Sequence, residues 1–178
     1  MEGGHVGARD GLPLQGVGTL MAVSSRRLAR DYALRALYTA DLREIAVAAA
    51  LQELWSTLMD GEGIDGDRAP ESEEVEFAQR LVFGVEAEKA ELDRLIEEAS
   101  TNWRLSRMPM VDRNVLRIAA FELLRCADIP ATVAINESIE LAKRFGGADS
   151  RAFVNGIVDR LGRQLDRITA DRPRKGKA

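Results

Sequence analysis

Wherever apolar residues recur regularly in this chain they step by three and four, and no segment alternates in twos long enough to make a convincing strand. A helix turns once per 3.6 residues and buries one stripe, so this regularity confines the chain to helices packed on helices. A first helix is expected from Ser24, because its hydroxyl or that of Ser25 can cap an orphan backbone N–H. Ala29, Ala33, Ala36, Leu37 and Ala40 form its narrow stripe. A second is expected over Ile45 to Met59, and the Gly- and Asp-rich stretch from Asp60 to Pro70 reads as a loop. The third and longest, roughly Ser72 to Ala99, carries Val75, Ala78, Val82, Val85, Leu92, Ile96 and Ala99, with Lys89 interrupting the seam.

Pro109 ends whatever precedes it, and Asp112 can cap the next helix, which runs to about Cys126. Pro130 separates that helix from one over roughly Val133 to Phe145, where Gly146 and Gly147 are expected to supply a left-handed C-cap. Asp149 or Ser150 then caps a last helix with Val154, Ile157, Val158, Leu161 and Leu165 facing inward. Before the first helix, residues 1–22 hold six glycines and a proline without helical period, so 1–23 reads as a disordered leader. Met21 stands just before the first pattern, which leaves Met1 and Met21 both open as the start. Residues 169–178 read as a flexible basic tail around Arg172, Arg174, Lys175 and Lys177.

Composition removes whole classes of chemistry. The only cysteine is Cys126 and the only histidine is His5, so there is no material for a disulfide, a Ser-His-Asp triad or a multi-His metal site. No catalytic residue, metal or cofactor is expected. No run approaches the ~20 apolar residues of a membrane span, and the start lacks the basic and apolar regions of a secretory signal. The cytoplasm is the expected compartment. With a net charge of −4, total charge does not suggest a nucleic-acid partner, and the placement of the cations has to carry that argument.

The first helix opens SSRRLARDYALRALY. Arg26 and Arg30 are four apart and Arg27 and Arg30 three apart, so they crowd onto neighbouring faces. Like charges there also oppose the positive end of the helix dipole, and a bound anion relieves both strains. RNA phosphate fits, since guanidinium forks match it and also stack on bases. A solvated basic face partly paired with Asp31 fits the local pattern as well. Tyr38, two turns beyond Arg30, is either a stacking platform for a nucleotide or a half-buried core residue. Asn136 and Glu137 have no nucleophile or base beside them in sequence and read as structural hydrogen-bonding groups.

The blocks WRLSRMPMVDRNVLRIAAFELL and IPATVAINESIELAKRFGGADSRAFVNGIVDRL, with the arginine-rich opening and ALRALY, closely resemble the NusB family of transcription antitermination factors. The resemblance covers about Ser24 to Leu165 and is weakest between Glu44 and Glu71. It implies an all-α bundle of two antiparallel three-helix subdomains, here about 24–100 and 101–168 within a single unit over 24–168. It further implies a non-catalytic factor that binds boxA-type RNA together with the ribosomal protein NusE, in the RNA polymerase antitermination complex on ribosomal RNA operons. By the same resemblance Arg26, Arg27, Arg30, Tyr38, Asp149, Arg151 and Phe153 face RNA, and Asp112 lies near the ribosomal-protein surface.

The residues themselves add qualifications. Phe153 sits at the margin of the last helix's apolar stripe, open both to stacking on a base and to core packing. Asp149 cannot attract phosphate and either caps its helix or accepts from base edges. Asn155 and Gly156 are expected to serve tight helix packing. The same helical domain also resembles the N-terminal part of ribosomal RNA cytosine methyltransferases, but no glycine-rich strand-turn-helix or catalytic cysteine motif is present. A structural homodimer that hides the arginines is a further alternative.

Overall fold

The computed structural model describes residues 15–61, 68–101 and 103–166. Among them run α1 (Gln15–Arg43), α2 (Val47–Met59), α3 (Ser72–Ala87), α4 (Lys89–Ala99), a 3-10 turn (Leu105–Arg107), α5 (Met110–Arg125), α6 (Ala131–Phe145) and α7 (Ser150–Gln164), with no strand. The fold is all-α. The expected tail at 169–178, His5 and the first fourteen residues lie outside the described residues.

Helix α1 is the spine. Its small residues Ala29, Ala33 and Ala36 are fully buried and let α3 approach closely, while other faces take α2 and α5. In the other half α5, α6 and α7 pack on one another, and α4 lies against α5 and α7. Leu81, Val82, Val85, Leu92, Ile96, Leu116, Ile118, Ile157 and Leu161 join one continuous core across both groups. Several charged groups also bind across the seam. Asp41 of α1 accepts from Asn114 and Arg117 of α5 at 3.1 and 3.0 Å, and Arg117 in turn grips Asp93 of α4 at 2.7 Å.

Four expectations about helix ends are corrected. The first helix begins at Gln15, nine residues before Ser24, so part of the expected leader is helical and neither Ser24 nor Ser25 is a cap. Once the inner turns are nucleated by packing, extension through Leu20, Met21 and Ala22 is cheap, but propensity does not explain the further turn through Gly16 and Gly18. The expected third helix is two: Glu88 leaves helical geometry (φ −111°, ψ 15°) between α3 and α4. The bend lets Val85 and Leu92, on either side of it, both remain buried. Just before it, Gly84 accommodates the Phe121 ring, whose Cζ would lie 2.1 Å from a Cβ at that position.

The left-handed cap expected at Gly146 is absent, since that residue is extended (φ −89°, ψ −179°). Gly146 is needed for space instead: a Cβ would meet Ser150 at 2.4 Å and the Ala142 carbonyl oxygen at 2.6 Å. A left-handed cap does occur at Glu44 (φ 52°), where the Ile45 N–H donates back to the Ala40 carbonyl at 3.1 Å, the Schellman arrangement without glycine. Finally, neither Asp112 nor Asp149 caps through its side chain. Pro109 occupies the cap position of α5, and Asp149 that of α7 without a side-chain bond. Ser150 pins the latter turn, its Oγ accepting from the Gly147 N–H at 2.9 Å.

Candidate nucleic-acid interface

The arginines at the head of α1 do not behave as one cluster. Helical spacing turns Arg26 and Arg27 outward, with side chains about half exposed, and turns Arg30 into the core at 2%. Arg30 donates to Glu122 of α5 through Nη2 at 2.6 Å and Nε at 3.0 Å, and its guanidinium also lies over the Phe77 ring. Arg30, expected at the RNA surface, is in this conformation buried and paired with Glu122. Burial, opposed by Arg30, raises the Glu122 carboxyl above its ordinary range.

Arg27 is accessible but engaged. It donates to both carboxylate oxygens of Glu137 on α6, at 2.6 and 3.0 Å, and this bond chiefly raises its pKa. Glu137 thus has the structural role expected of it, whereas Asn136 is exposed. Arg26 shares Asp128 with Arg80 of α3, at 3.6 and 2.9 Å. Ser25 and Arg26 of α1 and Glu73, Glu76, Phe77 and Arg80 of α3 line an open groove of about 580 Å³. Asp31, offered by sequence as a partner for the arginines beside it, is instead held by Arg144 of α6 at 2.6 Å. Its carboxyl is raised by burial, which that bond only partly offsets.

The other expected residues divide similarly. Tyr38 is half-buried. Asp149 and Arg151 are exposed at the start of α7, and Phe153 is half-buried with its ring edge-on to Trp103, centroids 5.8 Å apart. Asn155 and Gly156 are exposed, and a Cβ on Gly156 would meet nothing within 4 Å, so tight helix packing does not explain them. Asp112 is 3% exposed, its Oδ1 has no hydrogen-bond partner, and burial raises its carboxyl against a smaller opposing effect of Ser150. It offers little surface to a protein partner in this conformation.

Sequence reasoning missed Arg80, Arg144 and Trp103. Only the last had a local signal, an aromatic followed by two arginines in a stretch without helical period. Among the described residues no cluster of His, Cys, Asp or Glu could hold a metal ion, and no helix is long and apolar enough to cross a membrane.

The described surface thus offers two accessible arginines on the first helix, each paired with a carboxylate, and an aromatic pair with an exposed arginine at the start of the last. Residues 27–163 match the profile of the NusB family, and the chain belongs to that family. It is 44% identical over 145 residues to the transcription antitermination protein NusB of Myxococcus xanthus (strain DK1622), covering 82% of this chain and 99% of that protein. Among solved structures, T. maritima NusB superposes with a TM-score of 0.67 at 36% identity, covering 78% of this chain and 91% of that one. A structure of the antitermination factors NusB and NusE in complex with dsRNA gives 0.67 at 24% identity, covering 79% and 98%, and at that identity adds the fold alone.

Proposed function

We propose that this chain is a transcription antitermination factor that acts by binding and not by catalysis. It holds a boxA-type single-stranded RNA jointly with the ribosomal protein NusE, in the cytoplasm, during transcription of ribosomal RNA operons. The observation that carries this reading is the match along 99% of the length of an antitermination protein. That the similar proteins are themselves antitermination factors favours this reading over the RNA-binding part of a methyltransferase. Residues 24–168 work as one unit, its halves at about 24–100 and 101–168 joined by α1.

In this reading Arg26 and Arg27 exchange their carboxylate partners for phosphate, while Asp149, Arg151 and Phe153 approach bases and backbone from α7. Tyr38 contributes its exposed edge. Arg30 contacts no RNA, and serves by fixing α1 against α5. Asp112 would meet NusE only if α5 shifts to uncover it.

The test is fluorescence anisotropy of a labelled boxA RNA, titrated with and without NusE across a range of salt. Selective binding that NusE tightens is expected, with Arg27→Ala lowering the salt slope by about 0.7, the contribution of one single-strand phosphate. An unchanged slope removes Arg27 from the interface. Absence of binding at low salt, with NusE present, refutes the whole reading.

A further inference from the structure

Most of the described arginines are engaged by described acids, but Arg104, Arg107, Arg151 and Arg160 make no ion pair with any described residue. Two come from the connection between α4 and α5 and two from α7. Between those segments lies a groove of about 250 Å³ lined by Thr101, Trp103, Phe153, Gly156 and Arg160. Its lip is Trp103, 51% exposed and held by the Phe153 ring at an interplanar angle of 74°. Phe153, Gly156 and Arg160 follow at three and four along α7, so ring, gap and cation stand on one face.

We propose that this groove is a nucleotide subsite, in which one unstacked base of the bound RNA lies on the open face of Trp103 and Arg160 holds an adjoining phosphate. The proposal rests on the RNA-binding reading above and adds Trp103, Gly156 and Arg160 to it. Three features select this occupant. The volume is below the ~300–1,000 Å³ of pockets that enclose a drug-sized ligand, and suits a single ring system. Charge complementarity calls for an anion, because the one charged residue lining the groove, Arg160, makes no ion pair with any described residue. An edge-on ring can cover only one face of Trp103, which is 51% exposed, and stacking is what a base offers and an acidic side chain does not. Gly156 leaves the floor open, since even a Cβ there would touch nothing.

The test uses the full chain with NusE and a short single-stranded boxA RNA. Trp103→Ala is expected to weaken RNA binding about five- to 150-fold, the usual effect of removing one stacking platform, and Trp103→Phe to retain most of it. In a Trp55→Phe background the remaining tryptophan reports directly, and RNA is expected to quench its emission. Circular dichroism melting checks that each variant folds. Unchanged affinity in Trp103→Ala without quenching overturns the subsite while leaving RNA binding intact. Quenching by polyglutamate but not by RNA overturns it in favour of an acidic protein partner. If the wild-type protein binds no RNA at all, the underlying reading fails and the subsite with it.

Discussion

Replacing Arg30 by Ala separates a structural arginine from an RNA contact. The substitution leaves the Glu122 side chain, 1% exposed, without its counter-charge or the bonds at 2.6 and 3.0 Å. Removing one partner of such a buried pair costs about 3–5 kcal/mol, and the lost cation–π contact with Phe77 adds about 0.5–1 kcal/mol. For a domain of this size each kcal/mol moves Tm by roughly 2–4 °C, so a fall of about 7–24 °C is expected. Replacing both partners, Arg30→Met with Glu122→Met, should recover most of the loss, because an apolar pair of similar volume has no charge to desolvate.

The pH dependence provides a check on sign. Burial already raises the Glu122 carboxyl, and without Arg30 only the weaker field of Arg26 opposes that. A group whose folded pKa lies above its unfolded value contributes stability below the unfolded pKa and loses it as pH rises through the folded one. The deficit of Arg30→Ala should therefore shrink on acidification and widen toward neutrality. Urea unfolding followed by circular dichroism, alongside RNA titrations in varied salt, reads both properties. A variant of near wild-type stability whose salt slope for RNA has dropped would refute the argument, since Arg30 would then be reaching phosphate.

Three further outcomes follow from the packing and charges described. Gly84→Ala should destabilise by about 1–3 kcal/mol in urea unfolding despite the better helix propensity of alanine, because its Cβ would displace the buried Phe121 ring. Burial raises the Cys126 thiol to about 11, so the native protein should resist a thiol reagent at pH 8 and react only once unfolded. Burial raises Asp41, but Asn114, Arg117, Lys89 and Arg113 together hold it below the ordinary carboxylate range. Its contribution is present above about pH 4 and lost as pH falls through the lowered folded value. Asp41→Asn should remove that part of the acid limb, read as the urea midpoint between pH 6 and 3.

What sequence could reveal depended on how far apart the interacting residues lie. Stripes such as Val154, Ile157, Val158 and Leu161 are local, so the inward faces and approximate helix spans were legible. Pro109 and Pro130 marked their boundaries correctly, since each immediately precedes a helix. The bend at Glu88 had only the interrupted seam at Lys89 as a signal, and periodicity on both sides read as continuous. The fate of the arginines was not local at all. Arg30 meets a residue 92 positions away and Arg27 one 110 away, so spacing could place them on neighbouring faces without saying which face is covered. The groove at Trp103 likewise forms only when the α4–α5 connection meets α7.

The carboxylates that grip Arg26 and Arg27 also bear on selectivity among transcripts. An RNA that merely drifts against α1 would meet guanidinium groups already facing carboxylates, Arg27 closely and Arg26 more loosely, so its phosphates would displace fewer condensed cations than at free arginines. Only a strand that also satisfies contacts elsewhere can compete with Asp128 and Glu137 for those groups. On the proposed reading, the internal pairs would suppress attachment to irrelevant RNA, trading raw affinity for a wider gap between the right sequence and all others.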